Sequence, residues 1–148
     1  MQTDFKFFHP LRVRWAEVDR QDVVFNGNYL LYFDVAITEY WRALIAGRET
    51  EYGEKLAKWM HNIYVVKATV EYHASARFDD MLDIGVRLAK LGRTSMRFVP
   101  EIYRGEQHLI TGELIYVYRD PATERPAEVP EELRALMVAF EKTRPEGA

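Results

Sequence analysis

Between Asn28 and Ile45 the chain offers a helix with almost no polar side, and this decides most of what it can fold into. Leu30, Phe33, Ile37, Tyr40 and Leu44 fall on one stripe at helical spacing, and Ala36, Trp41 and Ile45 widen it. Asp34, Thr38 and Arg42 keep to one narrow i,i+4 line, with Glu39 beside it. A helix this apolar has to be wrapped by other structure, because a surface helix buries only one stripe. Asn26-Gly27-Asn28 predicts its start and Gly47 its stop.

After a second, weaker helix over Glu51–Met60 the apolar period changes to two. Val66, Ala68, Val70 and Tyr72 alternate with Val65, Lys67, Thr69 and Glu71. Leu82, Ile84, Val86 and Leu88 alternate with Asp83, Gly85, Arg87 and Ala89. Thr94–Arg104 and His108–Arg119 read as two more strands, and Phe7–Trp15 as an extended segment ahead of the helix. The breaks at Phe78-Asp79-Asp80, Leu91-Gly92-Arg93 and Arg104-Gly105-Glu106 are short, which predicts a four-strand antiparallel meander. Pro100 removes a ladder donor and predicts an edge strand or a bulge. Asp120–Pro130 reads as a loop before a last helix, Glu131–Lys142. The fold expected is α+β: one domain over 1–148, a curved antiparallel sheet around a central helix, with 120–148 a loop and C-terminal helix. One sheet covers one side of a helix and leaves its own edges open, so a homodimer that extends the sheet is expected, with a dimer of dimers as a further step.

The residue types present narrow the chemistry. No cysteine occurs, which removes disulfides, thiolate metal sites and a cysteine nucleophile. The four histidines, at 9, 61, 73 and 108, form no HxxxH, HxH or HExxH pattern, so no metal site is expected. A net charge of −3 gives no reason to expect nucleic acid as a partner. No run of about 18 uncharged apolar residues is present, and no membrane span or signal peptide is read, so the cytoplasm is the expected address. Glu17, Asp19 and Asp22 form an acidic turn just before the buried helix. Their mutual repulsion can raise a carboxyl pKa, and the helix start offers unpaired N–H groups. On the residues alone such a turn fits either a solvated loop that favours the helix dipole or the carboxylate and amides of an acyl-transfer site, the solvated loop being the commoner case. The aromatics Tyr29, Tyr32, Phe33, Tyr40 and Trp41 fit either core packing or a pocket for an aromatic or medium-length acyl chain.

The run VRWAEVDRQDVVFNGNYLLYFDVAITEYWR, Val13–Arg42, resembles the N-terminal signature of the hotdog-fold acyl-CoA thioesterases, most closely the 4-hydroxybenzoyl-CoA thioesterase-like branch. Glu71-Tyr72 and Ala76-Arg77-Phe78-Asp79-Asp80 resemble the strand and turn that follow the helix, so the resemblance covers about residues 6–119. It implies a thioester hydrolase acting on acyl-CoA, with CoA part of the substrate and no separate cofactor. It places Asp19 on the catalytic carboxylate and Asn26 where a backbone amide polarises the thioester carbonyl. It completes that helix start with Gly27 and Asn28, puts Asp34 where some members touch the acyl group, and sets Arg93 and Ser95 near CoA contacts. Whether Asp19 attacks the carbonyl or activates water stays open. Arg77, Lys90, Arg93 and Arg97 are the candidate cations for CoA. Four positions depart from the pattern: Glu17 for Asp, Asp22 for Gly, Asn26 for the His of several relatives, and Ser75 for Pro. If that Gly holds a positive φ, Asp is one of the few tolerable replacements. An acyl-CoA or acyl-carrier-protein binding protein without hydrolysis is the competing reading.

Overall fold

A computed structural model describes all residues, 1–148. Its elements are β1 (Phe7–Arg12), α1 (Asn28–Leu44), α2 (Glu49–His61), β2 (Ile63–Tyr72), β3 (Met81–Leu91), β4 (Ser95–Arg104), β5 (Gln107–Tyr118) and α3 (Glu131–Phe140), with short 3-10 turns at Gln2–Asp4 and Trp15–Glu17. The strands form one antiparallel sheet in the order β1-β3-β4-β5-β2.

α1 lies on the inner face of that sheet. Phe33, Ala36, Ile37, Tyr40, Trp41 and Leu44 meet Leu82, Ile84, Val86 and Leu88 of β3 and Met96, Phe98 and Ile102 of β4 in one buried cluster. Tyr40 is fully buried among Phe7, Trp41, Phe98 and Phe140, with ring centroids 5.2 to 5.9 Å away. Tyr29, Tyr32, Phe33 and Trp41 of the same helix are buried with it. Leu30 corrects the stripe: it is 42% exposed, and with Leu31 and Val35 it lies on an open side of α1. Within one chain the wrapping is incomplete, because α1 packs closest to β3, β1 and α3.

Two strand expectations are corrected. β2 does not join β3; it pairs with β5 at the far edge, so the meander has three strands. The connection after β2 is no hairpin turn, because its backbone is committed elsewhere. The N–H groups of His73 and Ala74 donate to Leu109 O, Ala76 O accepts from Val24 N–H, and Asp79 and Asp80 bond to Val13. Pro100 sits in β4, flanked by both β3 and β5, with no register shift at that residue. The β4–β5 ladder lapses at Val99 and Pro100 and resumes in the same register at Glu101. Gly112 opposite supplies the room: a Cβ there would lie 2.8 Å from Pro100 Cγ and 2.5 Å from the Phe33 ring.

β1 covers β3 only from Met81 to Val86. Beyond it the C-terminal tail takes over. Leu91 N–H donates to Glu146 O and Glu146 N–H to Ala89 O, both at 2.9 Å. The Glu141 carboxylate accepts the Leu88 N–H at 2.8 Å and the Tyr40 hydroxyl at 2.5 Å. Burial pushes this carboxyl above the usual range, against those hydrogen bonds. Gly47 turns the chain after α1 at φ +80.

Candidate active site

Residues 18–24 close a small loop, bridged between Val18 and Val24. Asp19 N–H donates to Val23 O at 2.9 Å, and Asp19 O accepts the Asp22 N–H at 3.0 Å. The tight return needs a left-handed residue, and Asp22 supplies it at φ +61. This is the conformation that Asp tolerates better than most residues. Asp19 is half-buried. Its Oδ1 accepts the Gln21 N–H at 2.8 Å, leaving Oδ2 with no partner in the chain.

The loop is strapped to the start of α1. Glu17 O accepts the Phe25 N–H at 3.0 Å and the Asn28 side-chain amide at 2.9 Å. Val24 N–H donates to Ala76 O, and Ala76 N–H donates to the Tyr29 hydroxyl. The helix begins at Asn28 with Gly27 as its N-cap residue, at φ −64. Asn26 is thus not the cap, and its side chain makes no hydrogen bond. The Asn28 N–H is taken by Phe25 O, whereas the backbone N–H groups of Asn26 and Gly27 have no partner in the chain. Both residues are exposed.

Glu17 does not behave as one of three repelling carboxylates. Its side chain is 12% exposed. Partial burial pushes its carboxyl up, but hydrogen bonds from the Arg14 guanidinium, the Arg14 N–H and the Tyr32 hydroxyl outweigh this and hold it below the usual range. The sequence reading missed Arg14 and did not foresee the hydrogen-bonding roles of Tyr32 or of Tyr72, whose hydroxyl donates to Asn26 O at 3.4 Å. The available signal was spacing: Tyr32 lies one helical turn beyond Asn28, on the same face.

The other predicted residues are dispersed. Asp34 is exposed on the open side of α1. Burial first, and then the Asp34 charge, pushes the Tyr116 phenol up to about 12. Arg93 pairs with Glu128 at 3.3 Å, and Ser95 begins β4. Both lie beyond the far end of β3, about 33 Å from its Met81 end at ten steps of roughly 3.3 Å. That Met81 end abuts the Asp19 side of the fold through Val13 and Asp80. The structure does not bring Arg93 and Ser95 to Asp19 within one chain. Lys90 and Arg97 pair with Glu146 and Glu113. Arg77 is exposed and has no carboxylate within ion-pair distance. No group of three or more His, Asp or Glu converges to hold a metal. No helix is long and apolar enough to cross a membrane.

A curved five-strand antiparallel sheet packed on one long apolar helix is the architecture of the hotdog fold. The chain belongs to the Thioesterase-like superfamily, whose family model matches residues 13–137. It is 32% identical over 130 residues to the acyl-CoA thioester hydrolase YbgC of Escherichia coli O6:H1, covering 87% of this chain and 93% of that protein. It is 26% identical over 133 residues to the acyl-CoA thioesterase YbgC of Haemophilus influenzae, covering 89% and 94%. In fold it resembles a thioesterase from Thermus thermophilus, solved in complex with coenzyme A and Zn. The TM-score is 0.78 at 24% identity, over 95% of this chain and 97% of that one.

Proposed function

We propose that this thioester hydrolase cleaves acyl-CoA to a free acid and CoA, with Asp19 as the reacting carboxylate. The observation that carries this reading is the pairing of a free Asp19 Oδ2 with two unpartnered amides, at Asn26 and Gly27, on a loop strapped to the start of α1. The amides hold the thioester carbonyl oxygen as it gains negative charge. Asp19 then attacks the carbonyl carbon, expelling the CoA thiolate and leaving an anhydride for water to open, or it takes a proton from the attacking water. The names of the Escherichia coli and Haemophilus influenzae relatives support the acyl-CoA substrate. The signature over Val13–Arg42 supports the 4-hydroxybenzoyl-CoA thioesterase-like branch.

The working unit in this reading is a homodimer. β2 is an open sheet edge, with Tyr64, Val65, Val66 and Tyr72 41–54% exposed. Antiparallel pairing of β2 with β2 of a second copy extends the sheet. It also sets the Ile63 end of one β2 beside the Tyr72 end of the other. β2 starts opposite Tyr118, whose N–H donates to Thr94 O, and ends at Tyr72 beside Asn26. Such a pairing carries Arg93 and Ser95 of one copy toward the Asp19 loop of the other, as one chain alone cannot.

The test is Asp19→Asn. Asn keeps the Oδ1 acceptor for the Gln21 N–H, so the loop stays closed. The variant is expected to hold its melting temperature and to lose at least about a hundredfold in kcat on a panel of acyl-CoAs from short to long and aromatic. Full activity in Asp19→Asn refutes the assignment. Tight binding without hydrolysis of any acyl-CoA by the unaltered protein favours the binding-protein reading.

A further inference from the structure

We infer that Glu17 is a positioning residue, whose bonds to Arg14, Asn28 and Tyr32 fix where the Asp19 carboxylate stands relative to the free amides at the start of α1. The inference rests on the reading of Asp19 as the reacting carboxylate. Both side-chain oxygens of Glu17 are fully used. Oε1 accepts the Arg14 N–H at 2.8 Å and the Tyr32 hydroxyl at 2.9 Å. Oε2 accepts Arg14 Nε at 2.9 Å and Nη2 at 2.6 Å. The Glu17 carbonyl holds Phe25 N–H and the Asn28 side chain. Two pieces of chain therefore converge on one residue: the Arg14–Glu17 turn that leads into the Asp19 loop, and the start of α1 through Asn28 and Tyr32.

The stiffness of this junction comes from its burial. Arg14 is 80% exposed, yet the carboxylate it grips is 12% exposed and backed by Tyr32, itself 2% exposed. Tyr32 packs edge-on against Tyr29 at 5.9 Å, and the Tyr29 hydroxyl accepts the Ala76 N–H. Glu17 thus refers the loop to the core, two residues before Asp19. An exposed acidic residue in a solvated turn has no such reference. Only Val18 separates Glu17 from Asp19, so backbone movement at Glu17 shifts the base of the Asp19 loop, and misplacement of a reacting group by about 1 Å lowers rates on the order of a hundredfold.

The experiment compares Glu17→Gln, Tyr32→Phe and Asp19→Asn, singly and combined, by kcat, KM for acyl-CoA and melting temperature. Tyr32→Phe keeps the buried ring and removes only the hydroxyl, so it reports on the junction even where Glu17→Gln folds poorly. A positioning role predicts a kcat loss of about tenfold to a hundredfold in Glu17→Gln, and a smaller loss in Tyr32→Phe, with KM near the original value. It also predicts that Glu17→Gln costs no further activity in the Asp19→Asn background, since it acts through that carboxylate. Glu17→Asp is expected to recover part of the kcat lost in Glu17→Gln, because it restores the charge that Arg14 grips. Wild-type kcat in both Glu17→Gln and Tyr32→Phe overturns the inference, as does an undiminished extra loss on top of Asp19→Asn. If Asp19→Asn alone is fully active, the reading of Asp19 falls first, which separates the two failures.

Discussion

The start of α1 offers a sharp test of whether backbone or side chain handles the carbonyl. The Asn26 side chain makes no hydrogen bond, and the N-cap position belongs to Gly27. Asn26→Ala therefore escapes the loss of about 1 kcal/mol that follows removal of a capping side chain. Its melting temperature and kcat/KM are expected to stay close to the unaltered values. Gly27→Pro deletes one N–H that has no partner in the chain. Its φ of −64 is already the angle proline imposes, so the ring enters without backbone strain at that residue. A Cβ at Gly27 meets the Phe25 ring at 3.1 Å, and Phe25 is 53% exposed and free to swing away. Proline also biases Asn26 away from helical angles. Loss of one oxyanion donor typically costs about 10²–10³ in kcat, or roughly 2.7–4 kcal/mol. Gly27→Ala carries the same Cβ but keeps the N–H, and serves as the control. The assay is release of the CoA thiol, followed with a thiol-reactive chromophore, beside a thermal melt of each variant. The backbone argument fails if Asn26→Ala loses a hundredfold in kcat/KM at unchanged melting temperature, or if Gly27→Pro keeps full kcat.

Light scattering at micromolar concentration is expected to give a dimer. Val66→Glu, which puts a charge on the exposed β2 edge, is expected to shift it to monomer with loss of activity; a monomeric unaltered protein refutes the proposed pairing. Gly112→Ala forces a methyl to 2.5 Å from the fully buried Phe33 ring and should destabilise the fold by about 1–3 kcal/mol in denaturant titration; an unchanged midpoint would show that the core yields there. Glu141 has a native pKa raised above its ordinary 4.5, so the folded state holds the extra proton. Its contribution to stability is then largest at acid pH and falls as pH rises from about 4.5 through the native value. Glu141→Gln should flatten that part of the stability curve, and parallel curves for the two proteins would contradict it. Glu17 has the opposite sign: its native carboxyl is held low, and the stability it contributes is lost only as pH falls below the ordinary carboxylate range.

The wrapped helix and the strands were legible because burial imposes a period, and the period is written in Phe33, Ile37 and Tyr40 as plainly as in Ile84, Val86 and Leu88. Pairing was less legible. Neighbours in sequence are usually neighbours in a sheet, and that expectation misassigned β2, whose following loop is committed to Leu109, Val24 and Val13. Pro100 misled for a related reason: a missing donor fits a central strand where the ladder lapses, and only the partner strand reveals the lapse. Leu30 belongs to the apolar stripe by spacing but lies on the side of α1 that one chain leaves open. At the site, the family pattern made a positive φ at Asp22 conditional on the Gly it replaces holding one, and the tight loop supplies the reason. The grip of Tyr32 on Glu17 was harder to read: helical spacing puts Tyr32 on the face of Asn28, but its partner lies fifteen residues upstream.

The Tyr40 hydroxyl has consequences for the order of events during synthesis. It sits at the centre of the aromatic core, and its acceptor, Glu141, lies 101 residues downstream. The Leu88 N–H waits for the same carboxylate. While the chain is still emerging, the ribosome can deliver α1 and every strand, yet the core can close only around an unanswered hydroxyl and amide. Each such buried group costs about 1–3 kcal/mol until it is satisfied. The core therefore reaches its native packing only once Glu141 docks, which ties closure around Tyr40 and Leu88 to the segment that follows α3.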